Sequence, residues 1–131
     1  MHKFETRVYW ADTDTYGVAW HGTYLRWCEQ ARTAFCEDNG YNMKEIEKGG
    51  IALPVINIEI KYKKSARLHD NLIIETSVAP SKKISMTFKQ VIKLKETDEV
   101  LSEANIEVVA VDVKTEKICR KMPFENLKNI N

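Results

Sequence analysis

The chain of 131 residues is sparing in the residues that usually mark special architectures. It has three cysteines, three prolines and five glycines. Cys28, Cys36 and Cys119 are odd in number and show neither CxxC nor zinc-ligand spacing, so no disulfide framework or structural metal is expected. They read as reduced, mostly buried small hydrophobes. With so little proline and glycine and no low-complexity tract, nothing marks a linker, and residues 1–131 are expected to form a single domain. No apolar run approaches the ~20 residues needed to cross a bilayer. The opening MHKFETRVYW has no signal-peptide core. The expectation is a cytoplasmic chain with no membrane insertion. Charge of one sign is also missing, since 20 Lys and Arg face 19 Asp and Glu. A near-neutral balance exerts no long-range pull on a polynucleotide, so no nucleic acid partner is expected.

What is present is a balance of 44% hydrophobic and 30% charged residues, typical of a globular chain. His2 to Trp10 reads as a first strand with Phe4, Thr6, Val8 and Trp10 on one face. From about Gly22 to Asn39 the apolar residues Tyr24, Trp27, Cys28, Ala31, Ala34 and Phe35 recur at three and four, predicting one long amphipathic helix closed by Gly40. Asn42 with Glu45 suggests a second, short helix ending at Gly49 and Gly50. Beyond Gly50 the period becomes two. Ile56 to Tyr62, Leu72 to Val78 and Ile84 to Leu94 alternate as half-buried strands, and Leu101 to Val113 is another whose apolar face switches midway, as a bulge or two-sided burial would produce. Lys117 to Met122 reads as a last strand, followed by Pro123 at the start of a terminal helix. Strands joined by short turns imply an antiparallel sheet with one long helix on its apolar face, an α+β class. One helix covers only part of such a sheet, so the remaining apolar surface should be buried against another subunit.

Residues 9–32 read YWADTDTYGVAWHGTYLRWCEQAR and concentrate two carboxylates, a glycine and a histidine ahead of the long helix. A helix start offers unpaired N–H groups and partial positive charge. A carboxylate beside such donors supplies a base or nucleophile and an oxyanion site, the two requirements of acyl transfer. Gly17 would let the loop fold tightly enough for Asp14 to face the helix start. Asp residues before helices are also common caps and turn formers, and on residue types alone that reading stands beside the chemical one. Asp12, Asp14 and His21 lack a fourth ligand, so no metal is expected. A Ser nucleophile has no G-x-S-x-G elbow.

The string VYWADTDTYGVAWHGTYLRWCEQAR resembles the signature of the 4-hydroxybenzoyl-CoA thioesterase family of hotdog-fold acyl-CoA thioesterases, in the branch with the pattern DTDxxGVxxHxxYLxxxExAR. KYKKSARLHDNLIIETSV resembles the family's strand, Pro-Ala-Arg turn and next strand, and VAVDVKTEKICRKMP resembles its last hairpin. The resemblance implies a hotdog fold, an antiparallel sheet of about five or six strands wrapped around one long helix. It also implies hydrolysis of a small or medium acyl- or aryl-CoA, no cofactor, and a homodimer or homotetramer. By position, Asp14 matches the family's catalytic aspartate, acting as nucleophile or as general base, and His21 matches the histidine at the helix start, whose N–H would polarise the thioester carbonyl. Tyr16, Gly17 and Trp20 are assigned to substrate binding. Trp10 stands where this branch often has Tyr, and Ser65 replaces the usual Pro. Glu29 is a competing carboxylate, but eight residues beyond His21 it lies about 12 Å along the helix axis and is read as structural. Lys61, Lys63, Lys64 and Arg67, and Lys82, Lys83 and Lys89, are basic clusters read as solvated faces. Hotdog enoyl-CoA hydratases also use an Asp and a His at the helix start, with a shorter interval than the six residues between Asp14 and His21. A non-catalytic acyl-binding domain is the other alternative.

Overall fold

The computed structural model describes residues 1–80 and 82–129. In chain order it contains β1 (His2–Arg7), α1 (Thr23–Asp38), α2 (Met43–Lys48), β2 (Ile51–Ala52), β3 (Val55–Tyr62), β4 (Asn71–Ala79), β5 (Ser85–Leu94), β6 (Val100–Val109) and β7 (Val111–Asp112). Short 3-10 helices cover Trp10–Asp12 and Glu125–Asn129. Five strands form one antiparallel sheet in the order β1-β4-β5-β6-β3, and β2 pairs with β7 in a separate ribbon.

The period-two segments build the sheet as expected. On β5, Met86, Phe88, Gln90 and Ile92 are buried, with Gln90 opposite Thr76 and Ile92 opposite Ile74 on β4. Against this face lies α1, whose Tyr24, Trp27, Cys28, Ala31, Phe35 and Cys36 are buried. Phe35 meets Phe88 edge-on with centroids 6.2 Å apart, and fully buried Ala31 keeps the helix close to the strands. The helix ends in a Schellman motif: Gly40 N–H reaches Glu37 O at 3.0 Å and Tyr41 N–H reaches Cys36 O at 3.1 Å. The motif needs a left-handed residue, and Gly40 supplies it with φ +90°. Asn42 caps α2 through its Oδ1, which accepts from Glu45 N–H at 3.1 Å. The result is the α+β hotdog arrangement implied by the resemblance, one long helix cradled by an antiparallel sheet.

Three expectations need correction. The first strand stops at Arg7, because the 3-10 turn at Trp10–Asp12 reverses the chain and leaves Trp10 exposed. The face switch in 101–113 is a break at Ala110: β6 packs Ala104, Ile106 and Val108 on α1's side of the sheet, and β7 then leaves to join β2. The segment 117–122 is not a strand, since one bridge, Val111 to Ile118, is all the pairing it makes among the described residues. The terminal turn is a 3-10 helix from Glu125, with Pro123 ahead of it and Phe124 and Leu127 buried in the core.

The two sheet edges differ. Edge strand β1 carries Lys3, Glu5 and Arg7 on its outer face. Edge strand β3 is eight residues long and exposes Val55, Ile56, Ile58 and Tyr62. No helix among the described residues is long and apolar enough to cross a membrane.

Candidate functional site

The segment between β1 and α1 is held by backbone hydrogen bonds on both sides. Val8 N–H donates to Asp70 O at 2.9 Å and Val8 O accepts from His69 N–H at 3.0 Å, which ties the strand exit to the turn before β4. Thr13 and Ala19 then bridge as a small hairpin, with Asp14 N–H to Val18 O at 2.9 Å and Gly17 N–H to Asp14 O at 3.3 Å. Gly17 takes φ +75°, the left-handed conformation this turn requires. The hairpin docks on residues 66–68 through Ala19 N–H to Ala66 O at 2.8 Å and a Val18–Arg67 bridge.

Asp12 is buried within this construction, only 4% exposed. Its Oδ2 accepts from Tyr9 N–H at 2.8 Å and its Oδ1 from the Arg26 guanidinium. Its carbonyl accepts from Trp20 N–H at 2.9 Å and from the Thr23 hydroxyl at 3.1 Å. Asp12 is thus the clamp that holds the loop against the first turns of α1.

Asp14 sits at the hairpin tip and is exposed. Its Oδ1 accepts from Tyr16 N–H at 2.8 Å within its own turn, and its Oδ2 has no partner among the described residues. Gly17 tightens the loop as expected, while the hydrogen bonds of Asp14 stay inside the hairpin and do not reach α1.

The start of α1 is open. Gly22 occupies the N-cap without a side-chain cap, and the N–H groups of His21 and Gly22 find no acceptor among the described residues. His21 is exposed, its ring 4.8 Å from that of Trp20, and its carbonyl accepts from the Tyr62 hydroxyl at 2.8 Å. The Trp20 indole lies over Gly22 so closely that a Cβ there would meet the ring at 2.2 Å. Any side chain at position 22 would displace the indole. Two free amide donors at a helix N-terminus form a place for developing negative charge.

Tyr16 and Trp20 are exposed, and with Gly17 they form an open surface rather than an enclosed pocket in the single chain. Among the concavities of the described residues, a groove of about 340 Å³ runs beside α1 and is lined by Glu29, Arg32, Cys36, Phe88 and Phe124 among others. Glu29 is exposed and lines this groove. Burial pushes the Cys28 thiol up to about 11 and the Cys36 thiol up to about 12, so neither is a ready nucleophile. Lys63 is paired with Glu103 at 3.4 Å and Lys64 with Glu99.

Several residues that shape this region escape a reading by periodicity. Tyr62 reaches from β3 to the His21 carbonyl, Tyr24 accepts from Ala66 N–H at 2.8 Å, and Arg26 locks Asp12. Arg32 donates to Gln90 Oε1 at 3.1 Å, and Gln90 in turn donates to Cys28 O at 2.8 Å and Thr76 Oγ1 at 3.0 Å. Gln90 was the one visible signal, a lone amide in the otherwise apolar face of β5.

Residues 8–127 match the family described as the Thioesterase-like superfamily. A relative in Haemophilus influenzae, the acyl-CoA thioesterase YbgC, is 34% identical over 112 residues, which is 85% of this chain and 81% of that one. A putative esterase of Synechocystis is 33% identical over 111 residues, covering 85% of this chain and 67% of the relative. Among solved structures, the DHNA-CoA thioesterase from Staphylococcus aureus superposes with a TM-score of 0.86 at 28% identity, over 91% of this chain and 79% of that one.

Proposed function

Because this chain belongs to the Thioesterase-like superfamily, we propose that it hydrolyses the thioester bond of an acyl-CoA at the junction of the 13–19 hairpin and the start of α1. The protein is a thioester hydrolase by its relatives' names, and the observation that carries the placement is the uncapped start of α1. There the His21 and Gly22 N–H groups stand free beside a loop that presents an exposed carboxylate. The resemblance to the 4-hydroxybenzoyl-CoA branch rests on the same Asp14 to His21 block.

On this reading the thioester carbonyl oxygen takes the His21 N–H, which gathers the charge of the tetrahedral intermediate. Asp14 either attacks the carbonyl carbon, expelling CoA thiolate and leaving a mixed anhydride that water opens, or removes a proton from the water that attacks. The thiolate is a good leaving group and demands no strong general acid. Tyr16, Gly17 and Trp20 border the substrate beside its thioester, with the Trp20 indole lying over Gly22. The single domain of residues 1–131, a cytoplasmic location and assembly as a homodimer or homotetramer belong to the same proposal. Assembly is supported by edge strand β3, because a long unpaired edge with the partly exposed Ile56, Ile58 and Tyr62 is the surface beside which a second copy would pack.

The test is a thiol-release screen over aliphatic and aromatic acyl-CoAs, with hydration of an enoyl-CoA followed in parallel. Free thiol at catalytic rates is the expected result. Hydration without thiol release would replace this reading with the hydratase one, and neither reaction across the panel would leave an acyl-binding domain.

A further inference from the structure

The groove along α1 contains a cation, Arg32, that has no ion-pair partner among the described residues, with the exposed Glu29 carboxylate its nearest charge of opposite sign on the same helix. It has two stretches, one of about 250 Å³ bounded by Leu25, Ile58 and Ile106 and one of about 340 Å³ bounded by Phe88, Val108 and Phe124. Glu29, Arg32 and Val55 line both, so the two stretches adjoin at these side chains. Arg32 is largely withdrawn from solvent, and burial lowers its proton affinity below that of a free guanidinium. Among the described residues its one hydrogen-bond partner is Gln90 Oε1 at 3.1 Å, and no carboxylate lies within ion-pair distance. Glu29, one turn earlier, is exposed and does not close the pair. A guanidinium carries five N–H donors in a fork suited to two carboxylate oxygens, and burying it against one neutral amide leaves most of that capacity unmet.

Gln90 is anchored by Cys28 O and Thr76 Oγ1, so its Oε1 is committed to holding the guanidinium in place. Arg32 is therefore pre-positioned at the wall of an apolar groove rather than free on a surface. The first stretch of the groove begins at Leu25 and Arg26, next to the open start of α1. Nine residues separate Thr23 from Arg32, about 13 Å of helix axis, and a helical side chain leans back toward the N-terminus, which sets the guanidinium roughly one medium-length acyl chain from the His21 and Gly22 N–H groups.

We infer that this groove holds the acyl group and that Arg32, braced by Gln90, binds an anionic oxygen at the end of the first stretch, where the second begins, making acyl-CoAs with a terminal carboxylate the favoured substrate class. The inference rests on the proposed thioesterase reading and refines it. The apolar walls take the methylene chain, and the guanidinium takes the distal carboxylate in a two-pronged pair.

Suberyl-CoA and octanoyl-CoA have the same eight-carbon length and differ at the far end, so the ratio of their kcat/KM values reads the guanidinium directly. The wild-type ratio should favour suberyl-CoA by about tenfold or more. Arg32→Gln should collapse it toward one. Arg32→Lys keeps the charge without the two-pronged fork and should lower the ratio by less, and this conservative second variant guards against misfolding of the first. A purely structural Arg32 would slow both substrates together with the ratio unchanged. An Arg32 that instead meets a second copy would show weaker association in sedimentation of Arg32→Gln, again at constant ratio. Either result, or a wild-type preference for octanoyl-CoA, overturns the inference. Thermal stabilisation by free suberate over octanoate, present in wild type and lost in Arg32→Gln, reads the site without turnover. If no thioester is cleaved, the activity reading fails while this arm still decides the role of Arg32.

Discussion

Asp12 and Asp14 are separated by one residue and meet opposite fates. Asp12 lies in the 3-10 turn that packs onto α1, where both carboxylate oxygens and the carbonyl are occupied by Tyr9, Arg26, Trp20 and Thr23. Asp14 lies at the tip of the next turn, exposed, with one oxygen on Tyr16 N–H and the other without a partner among the described residues. A carboxylate whose acceptors are all used stabilises structure, while one with open lone pairs is available to a substrate. The difference comes from the backbone, which turns inward at 12 and outward at 14.

The largest effect should follow from Asp14→Asn, which keeps the shape and the turn hydrogen bond but removes basicity. Turnover on the best thioester should fall by about 10² to 10⁴ with little change in melting temperature. Near-normal turnover in the folded variant would end the assignment and erase the functional side of the contrast. Asp12→Asn should act in the other direction, on stability. Losing the charge opposite Arg26 should cost about 1–2 kcal/mol, discounted because Arg26 is half exposed, and lower the melting temperature by several degrees while turnover per folded molecule largely persists. Equal losses of turnover in the two variants would break the comparison.

Gly17→Ala probes the turn that separates the two carboxylates. No atom lies within 4 Å of the added Cβ, so the cost is the left-handed conformation at φ +75°, about 1 kcal/mol in thermal unfolding. A larger fall in turnover than in stability would tie hairpin geometry to the placement of Asp14. The smallest effect on chemistry should come from the thiols. With Cys36 held up to about 12 from an ordinary 9.0, the fold keeps a proton that the unfolded chain releases. Its contribution to stability is therefore complete below about pH 9 and declines as pH rises toward 12. Cys28→Ala should retain turnover in the folded protein, and loss of turnover would place its thiol in the chemistry.

Local patterns made much of this legible. The three-and-four spacing from Tyr24 to Phe35 marked α1 to within a residue, and Asn42 with Glu45 marked the start of α2. The alternation from Ile84 to Leu94 marked β5 to within a residue. Boundaries failed where tertiary contacts override alternation. Trp10 continues the apolar period of β1 yet is turned outward by the 3-10 turn that Asp12 stabilises. Lys117 to Met122 has strand-like composition but is held mainly by Asp112 N–H to Lys117 O at 2.9 Å and Cys119 N–H to Ala110 O at 2.7 Å.

What the sequence by itself determined is the α+β class, the extent of the long helix, and the turn-rich segment ahead of it to which we assign the chemistry, because periodicity and turn residues act over a few neighbours. Which aspartate is buried, which tyrosine reaches the His21 carbonyl, and which arginine is left facing an apolar groove were decided by the tertiary structure. Each of those outcomes depends on a partner 14 to 58 residues away, as Arg26 is from Asp12 and Gln90 is from Arg32. A local pattern reports which face an element presents and carries no record of what that face meets.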